Sequence, residues 1–226
     1  MKRLLLTLAF SFSALFTFAQ SYGYTEYPTI TWGLAGGSSF SGFYLSGPQK
    51  EYYYTGLSLP LSIGISADYR FNDYFSIKPA IFYAGKGTRI DAQFVGLDNN
   101  VSVSDEYRLH YLEIPLNFIG HLPLGDGANI FLGAGPYYSK ALNGKRIIDY
   151  NADDHVSQPV KFGSNGDFKS SDYGLSTVLG FQGAKGWSIS GNFELGFTNI
   201  LQNSDLGIYA TKAKTGVFYL TIGQSF

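Results

Sequence analysis

The residues able to do chemistry are few and scattered. The chain has 226 residues with three histidines, no cysteine, and 17 Asp and Glu against 16 Lys and Arg. His110, His121 and His155 lack metal-ligand spacing, and no His-Glu-x-x-His element occurs. Asp149, Asp153, Asp154 and His155 lie together, but not in the order of a calcium loop, which makes them a solvated loop. Gly133-Ala134-Gly135 lacks the rest of a dinucleotide fingerprint, and there is no Gly-x-Ser-x-Gly element or phosphate loop. No catalytic residue, cofactor or metal site is therefore assigned. What remains is a set of charges inside otherwise apolar stretches: Glu113, Glu194, Lys86, Lys78 and Arg70. Their role depends on the elements that hold them.

Those elements are strands. From Leu57 to Phe71, Leu57, Leu59, Leu61, Ile63, Ile65, Ala67, Tyr69 and Phe71 alternate with Ser, Pro, Gly, Asp and Arg. A strand turns alternate side chains to opposite faces, so one face is apolar and the other small or polar. The pattern returns at 111–118, at 187–198 and in the last residues, where Phe218, Leu220, Ile222 and Phe226 share a face. Eight strands are expected, at about 29–45, 57–70, 74–87, 108–120, 128–140, 172–183, 187–199 and 213–226. Short turns at 71–73, 121–127 and 184–186 alternate with longer connections, the longest at 141–171, whose polar middle with Asn151, Asp153, Asp154 and Ser164-Asn165-Gly166-Asp167 is expected to be mobile. Residues 88–107 extend the third and fourth strands around a turn at Asp98-Asn99-Asn100.

Composition says what surrounds them. Aromatics make up 17% and charged residues 15%, against about 25% charged in an average soluble domain. Yet no apolar run of helix-spanning length follows the N-terminus. Met1-Lys2-Arg3, the apolar run to Phe18 and Thr17-Phe18-Ala19 have the form of a cleaved signal peptide, residues 1–19. Its loss removes two cations and leaves 14 against 17 anions, a balance that excludes a typical nucleic-acid binder. Residues 20–226 are then expected to form one all-β domain: an eight-stranded antiparallel up-and-down transmembrane β-barrel in a bacterial outer membrane. Its short turns would lie in the periplasm and its long loops outside. Aromatics flanking the apolar face, among them Trp32, Tyr83, Tyr137, Tyr138, Tyr173 and Trp187, suit the two interfaces. A water-soluble lipocalin-like barrel is the competing arrangement, with the apolar face turned inward.

In the membrane arrangement the five charges point into the lumen. If the third and fourth strands pair around Asp98–Asn100, paired residue numbers sum to about 199 and Lys86 lies opposite Glu113. An ion pair there would satisfy two charges that could not otherwise be buried. Lys86, Arg89, Arg108, Lys140, Lys145, Arg146, Lys212 and Lys214 fall near the outer rim. Arg108 and Lys140 are candidate lipopolysaccharide contacts. His110 should face outward at that rim, where a lipid-modifying enzyme could carry a His-Ser pair, although no partner serine can be named.

Tyr111-Leu112-Glu113-Ile114-Pro115-Leu116, together with Phe75-Ser76-Ile77-Lys78-Pro79-Ala80-Ile81-Phe82-Tyr83-Ala84-Gly85-Lys86-Gly87, resembles the PorT-like outer-membrane barrel family. The strand Trp32-Gly33-Leu34-Ala35-Gly36-Gly37 is similar too. The resemblance implies an eight-stranded barrel of Bacteroidetes-type bacteria, and some members of that family serve type IX secretion. Phe226 resembles the terminal signal read by the barrel-assembly machinery, with Gln224 as a departure from the apolar register. The expected protein is a non-enzymatic monomer in outer-membrane lipid that binds a protein partner through its loops. A small-molecule channel and a lipid-modifying enzyme are the alternatives.

Overall fold

The computed structural model describes residues 28–47, 53–95, 100–150, 154–202 and 210–226. The expected signal segment, the tip residues Asp98 and Asn99, and Asp153 lie outside them. Among the described residues there are ten strands and no helix. They are β1 (Thr29–Ser46), β2 (Tyr53–Gly56), β3 (Leu61–Arg70), β4 (Phe75–Val95), β5 (Asn100–Gly125), β6 (Ala128–Tyr150), β7 (Asp154–Pro159), β8 (Ser171–Gln182), β9 (Trp187–Gly196) and β10 (Lys212–Ser225).

Eight of them close a ring by antiparallel pairing, in the order β1, β3, β4, β5, β6, β8, β9, β10 and back to β1. Closure pairs the backbone groups of every stave on both sides, which an apolar solvent requires. β2 and β7 lie on the long-loop end, against β4 and β6 respectively.

Burial is inverted relative to a soluble barrel. Leu61, Leu132 and Ile222 point outward and are 75%, 62% and 69% exposed. Lys86, Glu113 and Glu194 point inward and are 0%, 2% and 3% exposed. A water-soluble barrel would reverse both sets, so the outer face is built for lipid. Trp32, Tyr69, Tyr74, Tyr83, Tyr138, Tyr173 and Trp187 are exposed on that face near its borders. Tyr137 is not: it is buried in the lumen, because it shares parity with Phe131 rather than with Leu132.

The turn end is closed by local chemistry. Asp126 and Gly127 both have positive φ, 51° and 78°, and link β5 to β6 as a two-residue turn of the kind that matches strand twist. Asn72 Oδ1 accepts from the backbone N–H of Tyr74 at 2.8 Å and of Phe75 at 2.9 Å, which shapes the β3–β4 turn.

Several sequence expectations shift. The turn placed at 121–127 shrinks to two residues, and His121 lies within β5 facing the lumen. Among the described residues of 141–171 the chain forms the end of β6, then β7, then a packed segment around Phe168, while Asn151 and Asp153 lie outside the described residues. Val95 pairs with Asn100, so β4 and β5 follow a register summing to 195 instead of 199. Lys86 therefore pairs with Leu109, and Phe82 lies opposite Glu113. Alternation specifies which face a residue takes, and a slip by an even number of residues preserves it. The inward direction of both charges survived the slip.

Candidate functional site

The site is the lumen, whose side chains form three layers. The middle layer centres on Lys86 of β4. Its Nζ meets Glu113 Oε2 of β5 at 2.5 Å and Glu194 Oε2 of β9 at 3.2 Å. Tyr219 of β10 donates its hydroxyl toward Glu194 at 3.3 Å and reaches Glu113 at 3.5 Å. The ammonium also lies over the ring of Tyr137 at 4.4 Å and that of Tyr111 at 5.5 Å. Three strands thus supply one cation between two carboxylates, with aromatic faces completing its shell. The long lysine stem lets this happen although Lys86 and Glu113 are not register partners. Next to it, Asp172 Oδ2 accepts from Thr215 Oγ1 at 2.7 Å and from the Tyr137 hydroxyl at 3.0 Å.

The layer above, at the long-loop end, is apolar. Phe43, Ile90, Tyr107, Leu109, Phe168 and Ile200 form one buried cluster. Phe168 packs edge-on to Tyr107 at 5.5 Å and to Phe43 at 6.0 Å. It comes from the β7–β8 connection and Ile200 from the β9–β10 connection. The two connections are tied by Lys169 N–H to Ile200 O at 2.8 Å and Gln202 N–H to Asp167 O at 3.1 Å. The long loops therefore fold inward as a plug over the charged layer.

The layer at the turn end is polar. Arg70 Nε donates to Asp68 Oδ2 at 3.2 Å, and its Nη2 contacts Gln182 Oε1 and His121 Nδ1, both at 3.4 Å. His121 also meets Ser76 Oγ at 2.9 Å and Asn129 Oδ1 at 3.2 Å. Lys78 lies over the Phe131 ring at 5.4 Å. The five sequence-predicted lumen charges thus divide: Lys86, Glu113 and Glu194 meet, Arg70 joins a separate cluster, and Lys78 stands between the two. Sequence reasoning placed Lys86 at the outer rim as well, which its full burial overturns. It missed Asp172, Tyr137 and His121 as lumen groups, and set Asp68 on the polar face of its strand without giving it a role. Parity within their strands was the available signal.

Outside the lumen, Arg108 is exposed and bound to Glu106 at 2.7 and 2.8 Å. Lys145 is its register partner on β6. Lys140 is exposed and donates to Ser170 Oγ at 2.9 Å. Arg146, in the long-loop half of β6, grips Asp105 at 2.7 Å. His110 stacks on Tyr83 at 5.4 Å between centroids, and its Nδ1 has no hydrogen-bond partner among the described residues. Phe226 exchanges backbone hydrogen bonds with Trp32 at 2.7 and 3.2 Å, seating the terminus on β1. Among the described residues no three His, Asp or Glu converge as metal ligands would.

Comparison with known proteins adds the family. No curated protein matches this chain. Solved structures similar to it include Ail, the attachment invasion locus protein of Yersinia pestis, at 13% identity over 87% of this chain and 99% of that one, with a TM-score of 0.39. Neisserial surface protein A is 14% identical over 88% and 99%, with a TM-score of 0.41. OprG of Pseudomonas aeruginosa is 16% identical over 88% and 97%, with a TM-score of 0.42. A model of the outer membrane protein beta-barrel domain matches residues 18–202. With its closed eight-stranded ring and its lipid-facing outer surface, the chain belongs to the outer membrane protein beta-barrel domain family and is an integral protein of the outer membrane.

Proposed function

We propose that this protein is a non-enzymatic, monomeric barrel with a sealed lumen, which serves the envelope structurally and through its extracellular surface. The observation that carries this reading is the stacking of the Lys86–Glu113–Glu194 layer beneath the Phe168 plug. Two successive layers, one charged and one apolar, leave no continuous water path, and eight-stranded barrels are filled by side chains. Purified protein in planar bilayers should show no ion current above the lipid baseline. Stable single-channel steps would overturn the sealed lumen and favour a channel.

Removal of residues 1–19 by signal peptidase precedes insertion in this reading. Delivery to the barrel-assembly machinery relies on Phe226. The resemblance of Tyr111-Leu112-Glu113-Ile114-Pro115-Leu116 to PorT-like proteins supports a role beside type IX secretion, with the protein partner engaged by the loops.

The lipid partner is lipopolysaccharide. Arg108 and Lys145 are exposed register partners of like charge, and Glu106, which binds Arg108, is one anion for the two cations. Lys140 adds a third cation on the same outer face, next to the Tyr83, Tyr138 and Tyr173 rings. Phosphate groups above an aromatic border satisfy this arrangement. Arg108→Glu with Lys140→Glu should lower co-purified lipopolysaccharide on the order of tenfold, the loss of charge-assisted hydrogen bonds. Equal retention would remove lipopolysaccharide from the assignment.

A further inference from the structure

Below the charged layer the lumen is not filled. A cavity of about 80 Å³ runs from Glu113, Glu194 and Tyr219 down to Gly33 and Ser225 at the periplasmic rim. That volume holds several water molecules. Its walls differ. One is lined by hydroxyls and amides, including Ser188, Ser190, Asn192 and Thr221. The other is largely apolar, with Ala80, Phe82 and Phe131, and carries Lys78 and Asn117.

Two groups in this cavity point to a ligand. Among the described residues no hydrogen bond or ion pair holds the Lys78 ammonium, which lies over the Phe131 ring at 5.4 Å. The nearby carboxylate Asp68 turns its Oδ2 to Arg70 at 3.2 Å. Lys78 thus feels Asp68 only at a distance, and no described side chain holds its ammonium directly. Asn117, its register partner on β5, is 7% exposed and its Oδ1 has no partner. The ammonium donates to a carboxylate, while the free Asn117 Oδ1 is an acceptor and takes a hydrogen bond from a hydroxyl beside that carboxylate. Further up, Glu113 and Glu194 outnumber Lys86, so the roof accepts hydrogen bonds from hydroxyl groups. The hydroxyl wall can donate or accept along the way.

We propose that this vestibule binds a small hydroxycarboxylate entering from the periplasm, with the carboxylate on Lys78, one hydroxyl donating to Asn117 Oδ1, and the other toward the serine wall and the glutamate roof. The sealed layer above makes it a blind pocket, so binding here is capture and not passage. That gives the barrel a solute-binding role in addition to its structural one.

Calorimetry on the purified mature barrel in detergent tests this, with glycerate as the probe and glycerol as its neutral counterpart. Glycerate should bind and glycerol should not. Lys78→Met should weaken glycerate at least about tenfold, the loss of a charge-assisted contact. Ala80→Leu, which fills the cavity and leaves every charge in place, should abolish binding. Far-UV circular dichroism confirms that each variant is folded, and Ala80→Leu decides the matter should Lys78→Met not fold. Failure of the unaltered protein to bind glycerate overturns the proposal. So does binding by either folded variant at unaltered strength, or equal binding of glycerol.

Discussion

Lys86→Met is expected to destabilise the barrel by about 3–5 kcal/mol, the loss typical when one partner of a buried ionic group is removed. The methionine fills similar volume, so packing changes little. What changes is charge: Glu113 and Glu194 are left facing each other in the lumen, with Tyr219 as a shared hydroxyl. Glu113→Gln removes the second carboxylate instead and leaves Lys86 facing Glu194 alone. Its effect should be near the net value of one hydrogen bond, about 1 kcal/mol. The combined variant Lys86→Met, Glu113→Gln, Glu194→Gln should recover most of the loss, because no buried charge remains unmatched. Equilibrium unfolding in urea from lipid vesicles measures all three. A Lys86→Met loss no greater than that of Glu113→Gln would refute the idea that Lys86 neutralises this layer.

Phe168→Ala should cost about 3–5 kcal/mol, the range for truncating a buried phenylalanine. Phe168 is fully buried and touches strands and both inward-folded connections. Its loss opens a cavity under the plug and weakens what holds the β7–β8 connection against the β9–β10 connection. The loss should have a second signature. Extracellular protease should cut the connection around 160–170 in the variant far faster than in the unaltered protein, while the β-sheet signal in circular dichroism is retained. Resistance equal to that of the unaltered protein would mean that the loops are held by something other than this cluster. The two variants separate the layers of the lumen: the first acts through charge and the second through packing, and they lie on different elements.

The physical contrast between these layers explains the barrel's architecture. A lumen of eight staves is too narrow for bulk water and too polar at its middle for hydrocarbon alone. Small residues such as Gly133 and Gly135 leave room for the large inward rings of Tyr137 and Phe131 on the same strand. The charged layer needs those rings, since a lysine without a water shell is stabilised by carboxylates and aromatic faces together. The apolar plug then keeps extracellular water from the ion pair, which preserves its strength.

The amino-acid order by itself determined the class of structure and its orientation to solvent. Period-two alternation is a property of the chain, and it told which side chains face lipid at Leu61, Ile63 and Ile65 and which face inward at Glu113 and Glu194. The alternation of turn and loop lengths told which end is which. Three things were decided only by the tertiary structure. The β4–β5 register differs by four in its sum, because even slips leave every residue on its own face and only the closing ring selects among them. Tyr137 and Asp172, whose inward facing follows from strand parity, meet Lys86 and Thr215 only because strands pair around the ring. The loops became a plug through Phe168 and Ile200, residues far apart in sequence that meet because closure brings the β7–β8 and β9–β10 connections together over one mouth. Local pattern governs facing; long-range pairing governs who meets whom.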